Sequence, residues 1–446
     1  MSKIKSVIKR NGTQVDFNQL RINNAIYRAA VSVGGRDYEQ AKKLGAQVTA
    51  ILEEKYAPDQ IPNVEDIQDV IEKVLIENGH AQVAKHYILY REERTRIRER
   101  ANRERNQHDS GNIPWEKIWR ALDWAVDHNL NHIEGLNQRV AAGEMQEIVM
   151  ESEVVYRQDI EQIAEQVLAR QDEIRIVIVA GPSSSGKTTT TKILNEKLRR
   201  SGFQLKELGL DNYFYDLEMH PKDEFGDYDF ETPQAMDLEL INTQVNQMLK
   251  GETVLIPHYD FKLGKRTLAQ TEMHFEPNEM ILIDSLFGLY PEMLSGVEDS
   301  VKMKIYIEPL LQMKTNQGKY VRWTDIRLMR RMLRDSIHRA YDYERTLTHW
   351  HYVRSSERRN IIPYMQYADY VINSAMPYEL SIYTPKLIDS FRLWVQKYAD
   401  DPLREDAYTR AERVLGLLEQ VLPYPDDSVV PEHSVIREFI GGSIYD

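Results

Sequence analysis

The fold is decided by one continuous stretch: Ile174-Arg-Ile-Val-Ile-Val-Ala180, then Gly181-Pro-Ser-Ser-Ser-Gly186-Lys187-Thr188, then Thr189-Thr-Thr-Lys-Ile-Leu-Asn-Glu-Lys-Leu-Arg-Arg200. The first run is short, apolar and β-branched, so it reads as a strand buried on both faces. The last reads as a helix. Between them lies G-x-x-x-x-G-K-[ST], a phosphate-binding loop. Its glycines let the backbone curl so that N–H groups point inward, and the helix N-terminus adds positive potential for an anion. Gly181, Ser183, Ser184, Ser185, Gly186, Lys187, Thr188 and Thr189 are therefore the expected seat of a triphosphate. Lys187 reaches the outer phosphates and Thr188 supplies a hydroxyl to Mg²⁺.

Moving outward, similar runs recur at FQLKELGL (203–210), MILIDSLFG (280–288), VKMKIYIE (301–308) and YVINSA (370–375), separated by amphipathic helices. That alternation predicts an α/β fold, a P-loop NTPase parallel sheet flanked by helices. Upstream, residues 3–17 hold two short β-rich runs around Asn11-Gly12, a hairpin signal. Helical stretches follow at about 18–33, 38–56, 63–78 and 80–100, with Asn63 and Asp66 placed to cap the third. Residues 91–108 are dense in Arg and Glu and read as a solvated helix end entering a linker. A second helical region spans about 114–172, where Trp115, Trp119 and Trp124 read as core. The organisation is thus 1–98, a small hairpin with helices; 99–172, a helical linker; 173–376, the phosphate-binding domain; and 377–446, a helical extension.

Composition narrows the class. A net charge of -13 argues against a general nucleic-acid binder, which needs a basic surface. The absence of cysteine removes disulfides, thiolate zinc sites and cysteine nucleophiles. No apolar run approaches a membrane span and the start lacks a signal-like segment, so a cytoplasmic protein without membrane or nucleic-acid partners is expected.

Three further features point to phosphoryl transfer. Asp284 follows the strand run Met280–Ile283 and is the natural second ligand to Mg²⁺. Asp211 follows the run ending at Leu210, where strand ends converge on a ligand crevice, and is the candidate base for an acceptor hydroxyl in preference to nearby Asp216. Arg327, Arg331 and Arg334 share one helix face, with Arg339 and Arg345 beyond, and form a basic group able to spread charge from a transferring phosphoryl and close as a lid.

Together, GPSSSGKTT (181–189), LDNYFYD (210–216), YDFETPQAMD (228–237), IPHYDFKLGKR (256–266), LIDSLFG (282–288) and RLMRRMLRD (327–335) resemble the uridine kinase branch of the uridine kinase/phosphoribulokinase family, over about residues 174–375. The resemblance implies an ATP- and Mg²⁺-dependent nucleoside kinase. Asp211 would be the base for the ribose 5′-hydroxyl, Tyr213, Glu231, Tyr259 and Arg331 would contact the nucleoside, and Arg331, Arg334 and Arg339 would gather round the phosphates. The tail SVIREFIGGS (434–443) looks like that of a bacterial subgroup with extra N-terminal modules. Four positions depart from the family: Glu231 stands for Asp, Asp284-Ser285 for Glu-Gly, Gly264 for a base-reading His, and Tyr341 for a lid Arg. The phosphoryl-transfer parts are kept while the base-reading parts are not.

The first ~98 residues resemble the ATP-cone of ribonucleotide reductases, on VIKRNG (7–12), Phe17 and the helix from Leu20. This implies a sensor of ATP or dATP in which Lys9, Arg10, Asn11 and Arg21 contact the nucleotide, acting through assembly into a homo-oligomer. Two other functions stay open at this stage: a kinase of another sugar or nucleoside-like alcohol, and a nucleotide-sensing regulator that transfers nothing.

Overall fold

The computed structural model describes residues 3–8, 14–57, 60–89, 91, 113–220, 232–260, 263–276, 278–338 and 342–445. The chain forms two compact units, Met1–Asp109 with Ala399–Glu405, and Ser110–Tyr398 with Asp406–Asp446.

In the first unit, β1 (Ser6–Ile8) and β2 (Gln14–Asp16) pair antiparallel, with Val7 opposite Val15. The turn between them, with Lys9, Arg10, Asn11 and Gly12, lies outside the described residues. Helices α1 (Gln19–Ser32), α2 (Tyr38–Lys55), α3 (Val64–Glu77) and α4 (81–89) follow. Ile22, Ile26, Leu44, Val48, Leu52, Ile67, Val70, Ile71 and Val74 form their shared core. The expected cap is present: Asn63 accepts from the Asp66 backbone at 2.9 Å and Asp66 accepts in return at 3.4 Å. Such boxes satisfy two otherwise orphaned N–H groups.

The second unit opens with α5 (Trp115–Asp127), α6 (Ile133–Ala141) and α7 (Met145–Ala169). Two of the tryptophans expected in the core lie outside it. Trp115 and Trp119 are 57% and 67% exposed, because Ile118, Leu122 and Ala125 face inward and the i, i+4 tryptophans face out. Of the three, Trp124 packs against the core.

Next come β3 (Ile176–Ala180), α8 (Lys187–Arg200), β4 (Gln204–Glu207), α9 (Leu238–Leu249), and an antiparallel pair β5 (Val254–Asp260) and β6 (Lys265–Met273). Then follow β7 (Glu279–Ser285), β8 (Lys302–Glu308), α10 (Trp323–His338), α11 (Tyr343–Asn360) and β9 (Tyr370–Asn373). The chain closes with α12 (Glu379–Tyr398), α13 (Glu405–Leu418) and the single turn α14 (Arg437–Ile440).

Five strands form one parallel sheet in the order β4-β7-β3-β8-β9, each from a run anticipated in the sequence. Alternation along β3 explains why its whole run is apolar. Val177 and Val179 join one core with α7, α8, α10 and α12, while Ile176, Ile178 and Ala180 join the core on the opposite face. Burying each such Val or Ile contributes about 1.5–3 kcal/mol. Within the second unit, the described parts of the segments read as a linker (99–172) and an extension (377–446) pack with the sheet. Leu130, Ile148, Phe391 and Phe439, all fully buried, belong to the same core as the sheet. The β5–β6 pair was not anticipated, since its second strand is mostly exposed and polar.

Candidate active site

β3 is the central strand, so the loop that follows it opens at the carboxyl edge of the sheet, where such folds bind ligands. Gly186 caps α8 in the left-handed region, with φ of 92°. Ser184 is also left-handed, at φ 59°, a strained position for a residue with a Cβ and one that clusters at ligand-binding loops. Lys187 folds back across the loop, donating to the carbonyls of Gly181 at 3.0 Å and Pro182 at 3.3 Å. Burial pulls its ammonium below the ordinary lysine range, while the charges of Asp284 and Glu438 work the other way.

Neighbouring elements hold the loop. Ser374, just past β9, donates to the Ser185 carbonyl at 2.5 Å. Ser183 is gripped twice, its carbonyl by Arg327 at 3.1 Å and its hydroxyl by Arg331 at 3.2 Å. Thr190 donates to the Gly186 carbonyl at 2.7 Å and shares a hydroxyl contact with Tyr156 of α7 at 2.6 Å.

Asp284 sits on β7 opposite Val179 of β3, level with the loop entrance. Burial pushes its carboxyl up to about 6, against the pull of Lys187, and the charges of Glu438, Glu207 and Asp211 push in the same upward direction. Asp284 is thus near enough to feel the charges of both Lys187 and Asp211. Asp211 lies in a 3₁₀ turn (Leu210–Tyr213) beyond β4 and is exposed. Asp216 instead ties the turn to β6. It accepts from the Arg266 backbone at 2.8 Å and from Lys265 at 3.2 Å, which hold its carboxyl below the ordinary range.

The arginine helix is not the lid expected from its spacing. α10 is a core helix, with Ile326, Leu328, Met329 and Met332 fully buried. Arg327 is sealed in a two-pronged pair with Glu357, with Glu308 at 3.7 Å. Arg330 is sealed with Glu379 at 2.7 and 2.9 Å. These two charges are already neutralised and serve to brace the loop. Arg331 and Arg334 remain on the loop side, Arg331 on Ser183 and Asp335, and Arg334 at 3.7 Å from Glu438. Arg339 lies outside the described residues.

On the acceptor side, Tyr213 also departs from expectation. It is fully buried and donates to Gln244 at 2.7 Å, so it supports the turn from beneath instead of facing a ligand. Tyr259 packs its ring against Phe214 at 5.6 Å and His220 at 6.3 Å, forming an aromatic wall. Glu231 lies outside the described residues, as do Lys9, Arg10 and Asn11 of the first unit; Arg21 is exposed in the first turn of α1.

Glu438 was not foreseen from the sequence. Its carboxylate accepts from the Thr189 backbone N–H at 3.2 Å and from the Thr189 hydroxyl at 2.9 Å. No local signal marks a residue 249 positions away as a partner of the loop. Among the described residues no three acidic or histidine side chains gather to hold a metal by themselves, and no helix is long and apolar enough to cross a membrane.

The ATP cone domain family matches residues 5–96, and the Phosphoribulokinase / Uridine kinase family matches residues 176–380. A uridine kinase of Bacillus pumilus is 29% identical over 198 residues, covering 44% of this chain and 85% of that protein. A uridine kinase of Halobacterium salinarum is 27% identical over 195 residues, covering 44% and 77%. At the other end, a vitamin B12-dependent ribonucleoside-diphosphate reductase of Thermoplasma acidophilum is 45% identical over 101 residues, which are 22% of this chain and 13% of that protein. The chain is thus similar to the ATP cone domain family over residues 5–96 and to the phosphoribulokinase/uridine kinase family over residues 176–380.

Proposed function

We propose that the second unit transfers a phosphoryl group from ATP to the 5′-hydroxyl of a nucleoside, under control of ATP or dATP bound to the cone. What supports the reading is Asp284, opposite Val179 of β3 at the end of β7, which feels the charges of both Lys187 of the loop and Asp211 beyond β4. Asp211, exposed toward solvent, accepts the proton of the acceptor hydroxyl. Lys187 leaves the carbonyls of Gly181 and Pro182 to meet the outer phosphates, and Arg331 and Arg334 spread the transferring charge. The donors Thr188 and Asp284 are hard oxygen ligands in a site with surplus carboxylate, which fits Mg²⁺ completed by substrate phosphates. When bound there, Mg²⁺ supplies neutralisation of phosphate charge.

A specific observation favours a different acceptor, a sugar or other nucleoside-like alcohol. Gly264 occupies the position of a base-reading His, at φ 64°, and a Cβ there would stand 2.9 Å from Leu217. A pyrimidine base therefore has no reader from that point. The test is a screen of nucleosides and sugars with ATP and Mg²⁺ on the full chain, reading phosphorylated product by mass. Phosphorylation of a nucleoside supports the first reading and of a sugar alone the second; hydrolysis or no turnover with any alcohol refutes both and leaves a nucleotide-sensing regulator. Control by the cone, with Arg21 and the residues of the β1–β2 turn as phosphate contacts, requires two nucleotides per chain and an activity and oligomeric state that respond to dATP. A single nucleotide per chain removes it.

A further inference from the structure

We propose that the C-terminal segment Ser434–Ile440 is a built-in competitor for the phosphate site, and that a nucleotide enters by displacing the Glu438 carboxylate from Thr189. The inference rests on the reading that Gly181–Thr188 seats the phosphates of ATP.

Thr189 is the third residue of α8, so its backbone N–H has no partner within the helix. In this loop-and-helix arrangement such N–H groups are donors to phosphate oxygens. In the structure the donor is taken: Glu438 accepts from it at 3.2 Å and from the Thr189 hydroxyl at 2.9 Å. The carboxylate also lies 3.7 Å from Arg334, one of the two arginines on the loop side, and is 9% exposed. An anion with two oxygens thus stands where a phosphate would, on the same donors and beside the same cation. A phosphate and a carboxylate cannot share that place, since both are negative and both need the Thr189 donors.

The segment is shaped for the position. Val435, Ile436 and Phe439 are fully buried, and the Arg330 guanidinium lies 5.0 Å over the Phe439 ring. Val435 leans so closely on the loop that a Cβ on Gly186 would stand 2.4 Å from it. Ser434 meets the Tyr378 hydroxyl at 3.1 Å, and that hydroxyl donates to Glu153 of α7 at 2.9 Å. The tail is therefore anchored at both ends of its contact, with the Glu438 carboxylate turned to the loop. Displacement opens the side of Arg334 that Glu438 now faces, while Asp335 stays 3.8 Å from the guanidinium, so loss of the plug and access of phosphate to this cation are one event.

The test compares the full-length chain with Glu438→Ala and Glu438→Gln, measuring dissociation constants for ATP and for tripolyphosphate by calorimetry, with circular dichroism and Tm as controls for folding. A seat that is open about a tenth of the time weakens apparent affinity about ten-fold. Glu438→Ala is expected to bind ATP and tripolyphosphate about ten-fold more tightly than the parent. Glu438→Gln keeps the size and loses the charge, and is expected to move in the same direction; it decides the matter if the alanine variant does not fold. Unchanged or weaker binding of both probes by the folded variant overturns the proposal and makes Glu438 a cap or a partner of the bound metal–nucleotide. If neither parent nor variant binds ATP, the phosphate-site reading falls and the competitor with it. Binding by the variant alone supports both.

Discussion

Replacing Glu379 by Gln tests the bracing of the phosphate loop most directly. Arg330 and Glu379 are both fully buried, joined by bonds of 2.7 and 2.9 Å, and Arg330 also donates to the Ser374 carbonyl at 2.7 Å and hydroxyl at 3.3 Å. Ser374 in turn holds the Ser185 carbonyl. Glu379→Gln leaves an uncompensated guanidinium in the core, and breaking such a pair costs about 3–5 kcal/mol. Removing both charges with Arg330→Met and Glu379→Leu takes away the orphaned charge, so the double variant should lie within about 1–2 kcal/mol of the parent. All six tryptophans fall between residues 115 and 394, so fluorescence during urea unfolding reports on the second unit alone. The double variant should nevertheless bind ATP more weakly, because Ser374 has lost its guanidinium. A loss under about 1 kcal/mol for Glu379→Gln, or a double variant no more stable than the single, refutes the view that a sealed charge is what the pair protects.

Three more outcomes are expected. Lys187→Ala should keep its fold, since the bonds its ammonium makes are to two carbonyls of its own loop, yet lose about 10³-fold or more in turnover; parent-like turnover sinks the assignment. Asp211→Asn should bind ATP nearly as before and lose about 10²–10⁴-fold in kcat; a collapse of ATP affinity with kcat intact makes Asp211 a metal or structural residue instead. Burial pushes the Glu357 carboxyl up, but Arg327 and Arg354 outweigh it and hold it below the ordinary glutamate range. Its stabilising contribution is therefore full above the unfolded value of about 4.3 and fades as pH falls through the lower folded value. The Tm gap between parent and Glu357→Gln should be widest near neutral pH and close in acid, and a gap constant down to pH ~3 would show another cause.

The sheet was legible because strands buried on both faces must be apolar throughout, and Ile176–Ala180 has no polar residue to blur the signal. The phosphate loop was legible because its geometry needs glycine and lysine at set intervals. The arginine helix was legible only as a basic stretch. Which of its cations are spent depends on Glu308, Glu357 and Glu379, carried by three other elements, and helical spacing within 327–334 contains no trace of them. The family resemblance implied that Tyr213 is a ligand contact, but the 3₁₀ turn sends the side chains at 211 and 213 in different directions, one to solvent and one to Gln244. Glu438 is the extreme case, a site neighbour assembled entirely by tertiary folding.

The long helix α7 has a mechanical consequence. Its 25 residues make a rod of about 37 Å. Near its middle it is pinned to the P-loop helix through Tyr156 and to Tyr378 through Glu153, and its end runs within seven residues into the strand that carries the loop. A stiff beam fastened at such points transmits force without needing to bend. A tilt of only about 5° about the fastened end displaces the far tip by roughly 3 Å, the scale of a hydrogen bond, for a rod of this rise per residue. The converse holds as well: the packing of Met145, Ile148 and Val149 at the far end of the beam steadies the phosphate loop, at no change in any residue that touches a ligand.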